Sequence, residues 1–205
     1  ILVNYNAGPE LARALRSISD ELDGQQWEAV VVDNGSSDGS AEVVSDFAPR
    51  VRLQRNNQNL GFSRAVNQGL AVTSGPLVLL MNPDCRLVAG AFGMLRRELE
   101  RSPSYAIVGP RILNPDGTVQ GSARGDPDMF TGLFGRTTVL RRLFPGLAVA
   151  RRNVVSGDGA RSGDGSVTVD WLSGACLLAH RDALQSVNGF DERYFLYWED
   201  ADLCR

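Results

Sequence analysis

Apolar positions recur at two spacings along the chain, and their alternation lays out the elements. Ile1-Leu2-Val3 reads as the end of a buried strand. Leu11, Leu15, Ile18 and Leu22 follow at helical spacing, which predicts a helix over 9–22. Pro9 sits in its first turn, where a missing N–H costs nothing. A valine-rich run over 27–32 predicts a buried strand. The polar stretch Asp33-Asn34-Gly35-Ser36-Ser37-Asp38-Gly39 closes a loop and caps a short helix over 40–47. A strand follows over 51–54. Phe62, Val66 and Leu70 mark a helix over 62–73, stopped by Gly75. Leu77 to Met81 is a fully apolar strand, and Phe92, Leu95 and Leu99 mark the next helix.

Strands alternating with helices at this pace predict an α/β fold, with a mostly parallel sheet covered on both faces. Ligands in such sheets bind beyond the carboxyl ends of the strands. Asn4-Tyr5-Asn6, Asp33-Asn34-Gly35 and Asn82-Pro83-Asp84 each follow a strand, so all are expected on one rim. After about residue 105 the periodicity changes. A hairpin over 112–119 turns at Pro115-Asp116-Gly117. Residues 125–166 lack periodicity and contain Gly157-Asp158-Gly159 and Gly163-Asp164-Gly165, which predicts a long mobile loop. Residues 167–179 read as a strand pair or one long strand broken near Ser173-Gly174, followed by a helix over 181–187.

A chain of 205 residues with 43% apolar content suits one large α/β domain with a sizeable core. The net charge of −3 gives no reason to expect a nucleic-acid partner. Its 21 basic residues are all arginine, which reads as codon bias of a GC-rich genome. Cys85, Cys176 and Cys204 form no CxxC pair, which argues against zinc and a disulfide framework and fits a reducing cytoplasm. No apolar run reaches the roughly 18 residues of a membrane span, and no signal peptide is visible. The chain opens without Met inside an apolar run and stops just after a cluster of acids, so a fragment trimmed at both ends is expected.

Several side chains then carry candidate chemistry. Asp84 stands at the end of an apolar strand, where one carboxylate plus substrate phosphates could hold magnesium or manganese. Asn-Pro-Asp is equally good turn chemistry. Glu199, Asp200 and Asp202 follow the aromatic run Tyr194-Phe195-Leu196-Tyr197-Trp198, whose low polarity would raise a carboxylate toward a general-base pKa. If a helix begins there, Glu199 and Asp202 share a face and Asp200 points elsewhere. The same acids also suit a plain helix N-terminus. Asp33, beside Asn34, could accept a hydrogen bond from a pyrimidine ring N–H, or simply cap the next helix. Arg64 could reach the base or the diphosphate, or be a solvated helix charge. His180 reads as a structural residue more than a metal ligand, and Cys85 as packing. The stretch 136–152 mixes arginines with Leu140, Leu143, Phe144 and Leu147, and reads either as a solvated surface or as peripheral contact with an anionic membrane.

These pieces together resemble glycosyltransferase family 2 enzymes of GT-A fold, especially the bacterial rhamnosyltransferase-like branch. The resemblance runs through Val3-Asn4-Tyr5-Asn6, Val31 to Gly39, Asn59-Leu60-Gly61-Phe62, Leu80 to Asp84, and Gly189-Phe190-Asp191-Glu192 with Glu199-Asp200 and Asp202-Leu203-Cys204. It implies a donor-binding half over 1–104 and an acceptor-binding half over 105–205 of a single domain. Asn4, Tyr5 and Asn6 match the first nucleotide-contacting loop, Asp33 the acid that reads the base, and Asp84 the last acid of the DxD metal motif. Asn82 replaces that motif's first acid, which lowers the charge available to a cation. Asp200 matches the Asp of the ED motif, the base that deprotonates the acceptor. Trp171, Ser173 and Gly174 resemble the segment lining the acceptor and donor-sugar site. The implied reaction is inverting transfer from a uridine or thymidine diphosphate sugar, with thymidine diphosphate rhamnose favoured in this branch. The implied acceptor is a glycan or lipid-linked hydroxyl in cell-wall or surface polysaccharide synthesis. The implied cofactor is Mn2+ or Mg2+, and the implied location is the cytoplasm, including the inner face of the plasma membrane. A nucleotide-sugar-binding module without turnover is the alternative that the loss of an acid at Asn82 suggests. A nucleotidyltransferase would carry a Gly-rich basic loop after Val3, and none follows.

Overall fold

β2 (Ala29–Asp33) is buried along its whole length, the mark of a strand with neighbours on both edges and layers on both faces. It pairs in parallel with β1 (Leu2–Asn4) on one side and β3 (Val51–Arg55) on the other. β1 continues the sheet toward β4 (Leu77–Met81), because the Ile1 nitrogen donates to Leu79 O and the Met81 N–H donates to Ile1 O. β8 (Cys176–His180) then pairs antiparallel with β4 and with β5 (Ile107–Val108). The sheet is thus parallel over β1–β3 and antiparallel where β8 enters between β4 and β5. This computed structural model describes residues 1–120, 123–124 and 165–205. The loop expected over 125–166 falls almost wholly outside the described residues, as does the stretch 136–152.

Helices cover the sheet for the reason the spacing predicts. α1 (Glu10–Glu21) buries Leu11, Ala14, Leu15 and Ile18, and a leucine taken fully out of water contributes about 2 kcal/mol. A 3-10 helix (Ser40–Phe47) stands where the short helix is expected. α2 (Phe62–Val72) lies close on the sheet at Gly69, where a Cβ would stand 2.6 Å from Ile1 Cγ2. The helix accepts a weak helix former there because a side chain has no room. α3 (Ala91–Glu100) buries Leu95 and Leu99, and Leu99 clusters with Leu178 of β8. α4 (Arg181–Ser186) and α5 (Glu199–Leu203) complete the described elements.

The chain divides into two compact units. The first comprises Ile1–Pro110 and Gly174–Leu203, and holds the elements above. The second comprises Arg111–Ser173 and Cys204–Arg205. Within it Leu113 bridges Val119 across the expected Pro115-Asp116-Gly117 turn, and β6 (Ala123–Arg124) pairs antiparallel with β7 (Trp171–Leu172). The predicted run over 167–179 is therefore two strands, parted around Ser173-Gly174. No helix among the described residues is long and apolar enough to cross a membrane.

Candidate functional site

β1, β2 and β4 end at Asn4, Asp33 and Met81, and the loops that follow open on one cleft of about 320 Å3. Its wall includes Tyr5, Asn34, Gly61, Asn82, Asp84 and Phe195. The size suits a small-molecule ligand. The three polar segments expected on one rim therefore do meet.

The β2 side of this cleft is a lattice of buried polar groups. Asn4 is fully buried, and its amide donates to Asp33 Oδ1 at 2.8 Å, Ser40 Oγ at 2.9 Å and Ser36 Oγ at 3.1 Å. Asn4 Oδ1 finds no partner. Asn4 thus lies behind Asp33 and holds that carboxylate. Asp33 itself is 2% exposed and sits beneath the cleft wall. Asn6, in the left-handed region at φ 53°, accepts from the Ser37 N–H and so binds the β1 loop to the β2 loop. Tyr5 projects an exposed ring on the wall. The Asn34 amide donates to Asn59 Oδ1 and to Gly61 O, and its oxygen accepts from Asn56. Gly61, at φ 89°, lets residue 195 come close: a Cβ there would stand 2.7 Å from Phe195 O, which accepts the Phe62 N–H. Arg64 does not line the cleft; it pairs with Glu192 at 3.0 Å on an exposed surface.

The β4 side is more open. Asp84 is exposed at the wall, and the Asn82 N–H is fixed by Ala175 O at 2.9 Å. Burial, with the Asp84 charge beside it, pushes the Cys85 thiol up to about 11, so it stays protonated and is no nucleophile. Among the described residues no group of three His, Cys, Asp or Glu side chains forms a ready metal cage. The charged residues in the cleft wall are Asp84 and Glu10, both negative. A diphosphate entering here needs compensating positive charge. The Asp84 carboxylate and Asn82 amide oxygen fit a magnesium-class ion that arrives with phosphates and keeps waters, not one caged by protein alone. His180 pairs with Leu77, whereas Met81 pairs with Cys176, so the histidine stands at the opposite end of β4, about 13 Å away along the strand. It is not a neighbour of Asp84.

The acids after the aromatic run are sorted by backbone geometry. Tyr197 and Trp198 both adopt left-handed φ, at 70° and 74°. Side chains resist that conformation by about 1 kcal/mol or more each. The turn drops Glu199 inward to 6% exposure, while Asp202 is exposed. The shared face expected for Glu199 and Asp202 is thus corrected: the turn after the left-handed pair buries Glu199, and Ala201 with it, while Asp202 stays exposed. The aromatic run does not wall off Asp200 either. Phe195, Leu196, Tyr197 and Trp198 are exposed, and the carboxyl whose pKa rises is Glu199, through burial and then the Asp200 charge. Glu199 Oε2 is buried without a partner.

Asp200 is oriented instead by two backbone donors. Its Oδ2 accepts the Gly174 N–H at 2.9 Å and its Oδ1 accepts the Ala201 N–H at 2.9 Å. Gly174 is followed by Ala175, which fixes Asn82. Two consecutive residues therefore hold the Asp84 loop and Asp200. Trp171 and Ser173 belong to the second unit, where both are half-buried. Sequence reasoning did not single out Glu10, Asn59 or Gly61 as site residues. Gly61 had a signal in the Asn-Leu-Gly stop before a helix; Glu10 had none.

Residues 1–157 match the sequence profile of glycosyl transferase family 2. The chain is 35% identical, over 99% of its length and 67% of the relative's, to an N-acetylglucosaminyl-diphospho-decaprenol L-rhamnosyltransferase of Mycobacterium tuberculosis. The mannosyltransferase PcManGT of Pyrobaculum calidifontis, solved with GDP-Man and Mn2+, superposes with a TM-score of 0.62 at 18% identity, covering 98% of this chain and 49% of that one. TarS of S. aureus superposes at 0.64 and 15% identity, covering 99% of this chain and 52% of that one. The chain spans about half the length of these solved structures and about two thirds of the mycobacterial relative. The fold is GT-A, as the sequence resemblance implies.

Proposed function

Because the chain belongs to glycosyl transferase family 2, we propose that it moves a sugar, with inversion, from a nucleoside diphosphate to a hydroxyl of a glycan or lipid-linked acceptor. One observation carries the reading: the loops bearing Asn34 and Asp84 open on a single cleft, and Asp200 hangs from Gly174, next to the residue that fixes Asn82.

In this reading the base lies at the β2 end, with Tyr5 and Asn34 on the wall. Asp33 gives one oxygen to Asn4 and keeps the other for a pyrimidine ring N–H. Asn6 and Asn4 keep that loop in shape. Asp84, with Asn82, would hold the cation, which would supply Lewis-acid stabilisation of the departing diphosphate. Asp200 takes the proton of the acceptor hydroxyl as that oxygen bonds to the anomeric carbon. The bond from that carbon to the diphosphate oxygen breaks, and its electron pair leaves with the diphosphate. A single displacement inverts the carbon through an oxocarbenium-like transition state. Trp171, Ser173 and Gly174 serve the acceptor and donor sugar by family resemblance. Arg64, paired with Glu192, supports the α2 end of the site in place of touching the donor.

The mycobacterial relative's name favours a rhamnosyl donor, hence a thymidine or uridine diphosphate sugar, and a polyprenyl-diphosphate sugar acceptor. Work on such an acceptor belongs at the inner face of the plasma membrane, in cell-wall or surface-polysaccharide synthesis. PcManGT, solved with Mn2+, supports manganese as the cation.

A thermal-shift panel of nucleoside diphosphate sugars, with and without manganese, tests this directly. Pyrimidine donors should raise the melting temperature by mass action, and more so with the metal. Asp84→Ala should melt normally without ligand and lose the manganese increment. An equal increment in mutant and wild type removes Asp84 from the metal site.

A further inference from the structure

We propose that Glu10 reads the pentose of the donor, its carboxylate accepting a hydrogen bond from the nucleoside 3′-hydroxyl. The inference rests on the nucleotide-binding reading above and adds a residue to it.

The order of the strands places the pentose. β2, β1 and β4 are successive neighbours, and each delivers its loop to the same cleft. With the base at the end of β2 and the diphosphate at the end of β4, the pentose must lie over the end of β1. Neighbouring strands stand about 4.8 Å apart, so the nucleoside bridges about 10 Å. The chain leaving β1 contributes Tyr5, Ala7 and Glu10 to the cleft wall. Ala7 offers no polar side-chain atom, so Glu10 is the carboxylate available at that position.

Its chemistry narrows the ligand group. Arg86 and then Arg13 hold the Glu10 carboxyl below the usual carboxylate range, so it is ionised. An anion in this wall repels phosphate. Between a base and a diphosphate, the neutral donors of a nucleotide are its pentose hydroxyls. Arg13 occupies Oε1 and Arg86 occupies Oε2, one guanidinium to each oxygen. Each carboxylate oxygen carries two lone pairs, so an acceptor position remains on both. The two arginines also fix where the carboxylate stands. Arg13 comes from α1 itself, and Arg86 comes from the loop two residues beyond Asp84. The 3′-hydroxyl is common to ribose and deoxyribose, so this reading is independent of which pyrimidine donor is used.

A calorimetric cycle in the presence of manganese tests it. Wild type, Glu10→Ala and Arg86→Ala are each titrated with thymidine diphosphate and with 3′-deoxythymidine diphosphate. Removing the hydroxyl should weaken binding to wild type by about tenfold, the worth of a hydrogen bond to a charged group. Glu10→Ala should bind both nucleotides alike, at the weaker level. Arg86→Ala keeps the carboxylate and should keep most of the discrimination. Glu10→Gln, which preserves size and helical propensity, should fall between wild type and Glu10→Ala and guards against a folding artefact. Full discrimination retained in Glu10→Ala would overturn the assignment and place the hydroxyl elsewhere. Binding of both nucleotides to wild type without discrimination also overturns it, yet leaves the nucleotide reading standing. Failure of wild type to bind thymidine or uridine diphosphate at all overturns both.

Discussion

The two ends of the cleft are built differently. At the β2 end, Asn4, Asp33, Asn34 and Ser40 are all buried and bonded to one another. At the β4 end, Asp84 is exposed, and the approach to Asp200 runs through two left-handed residues and an exposed aromatic strip. A buried polar lattice is rigid because every member is fixed by several others, and costly to break for the same reason. The other end owes its shape to single backbone bonds, such as Gly174 to Asp200 and Ala175 to Asn82. Under the proposed function, the contrast would separate the constant part of the ligand, a nucleoside, from the part that moves during reaction. Substitutions at the two ends should therefore fail in different ways: loss of stability at one, loss of turnover at the other.

The largest expected effect tests the open end. Asp200→Asn keeps size and one of the two backbone hydrogen bonds, because its amide nitrogen cannot accept, and it cannot take a proton. Transfer should fall about 100-fold to 10,000-fold, the usual worth of a positioned base. Donor affinity by calorimetry should stay near wild type, and the melting temperature should drop by no more than one lost hydrogen bond explains, about 1 kcal/mol. Near-normal turnover in this variant, with collapse in Glu199→Gln, would move the base to Glu199. Next comes the lattice. Asn4→Ala strips Asp33 and two serines of a shared donor and should cost about 3 kcal/mol of stability by urea denaturation. A loss under about 1 kcal/mol would erase the difference between the two ends.

The smallest effect sharpens the boundary between them. Burial raises the Glu199 pKa above the ordinary glutamate value of 4.5. As pH climbs through 4.5, the unfolded chain releases that proton while the folded one keeps it. Stability therefore falls with rising pH until the folded group also ionises, and the penalty persists above that point. Glu199→Gln should remove this slope and melt slightly higher than wild type at neutral pH. An unchanged pH profile would show that Glu199 is solvated.

Much of this was legible in the chain. Helical spacing located α1, α2 and α3, and the valine run located β2, because each element buries a continuous apolar face. The convergence of Asn4, Asp33 and Asn82-Asp84 followed from strand ends alone. What stayed hidden depends on contacts distant in sequence. The antiparallel entry of β8 between β4 and β5 leaves no local trace, since Cys176-Leu177-Leu178 reads as a buried strand in either direction. Arg64 looked free until Glu192 was placed beside it, 128 positions later. Glu199 and Asp202 were separated by left-handed backbone at Tyr197 and Trp198, residues whose side chains give no warning of it. Glu10 reads as an ordinary helix-starting acid, and only the folded structure shows it on the cleft wall.

The sheet is left after β5 and rejoined at Gly174, with residues 111–173 in a unit of their own. The returning strand is nonetheless locked at both edges by five paired positions on β4 and two on β5. Those pairings do not depend on how many residues the excursion contains. Evolution can lengthen, shorten or exchange that excursion while Gly174 and Ala175 return to the same register and hold Asp200 and Asn82 as before. The arrangement works as a socket for interchangeable cassettes, in which the inserted segment can change without rebuilding the strands that receive the returning chain.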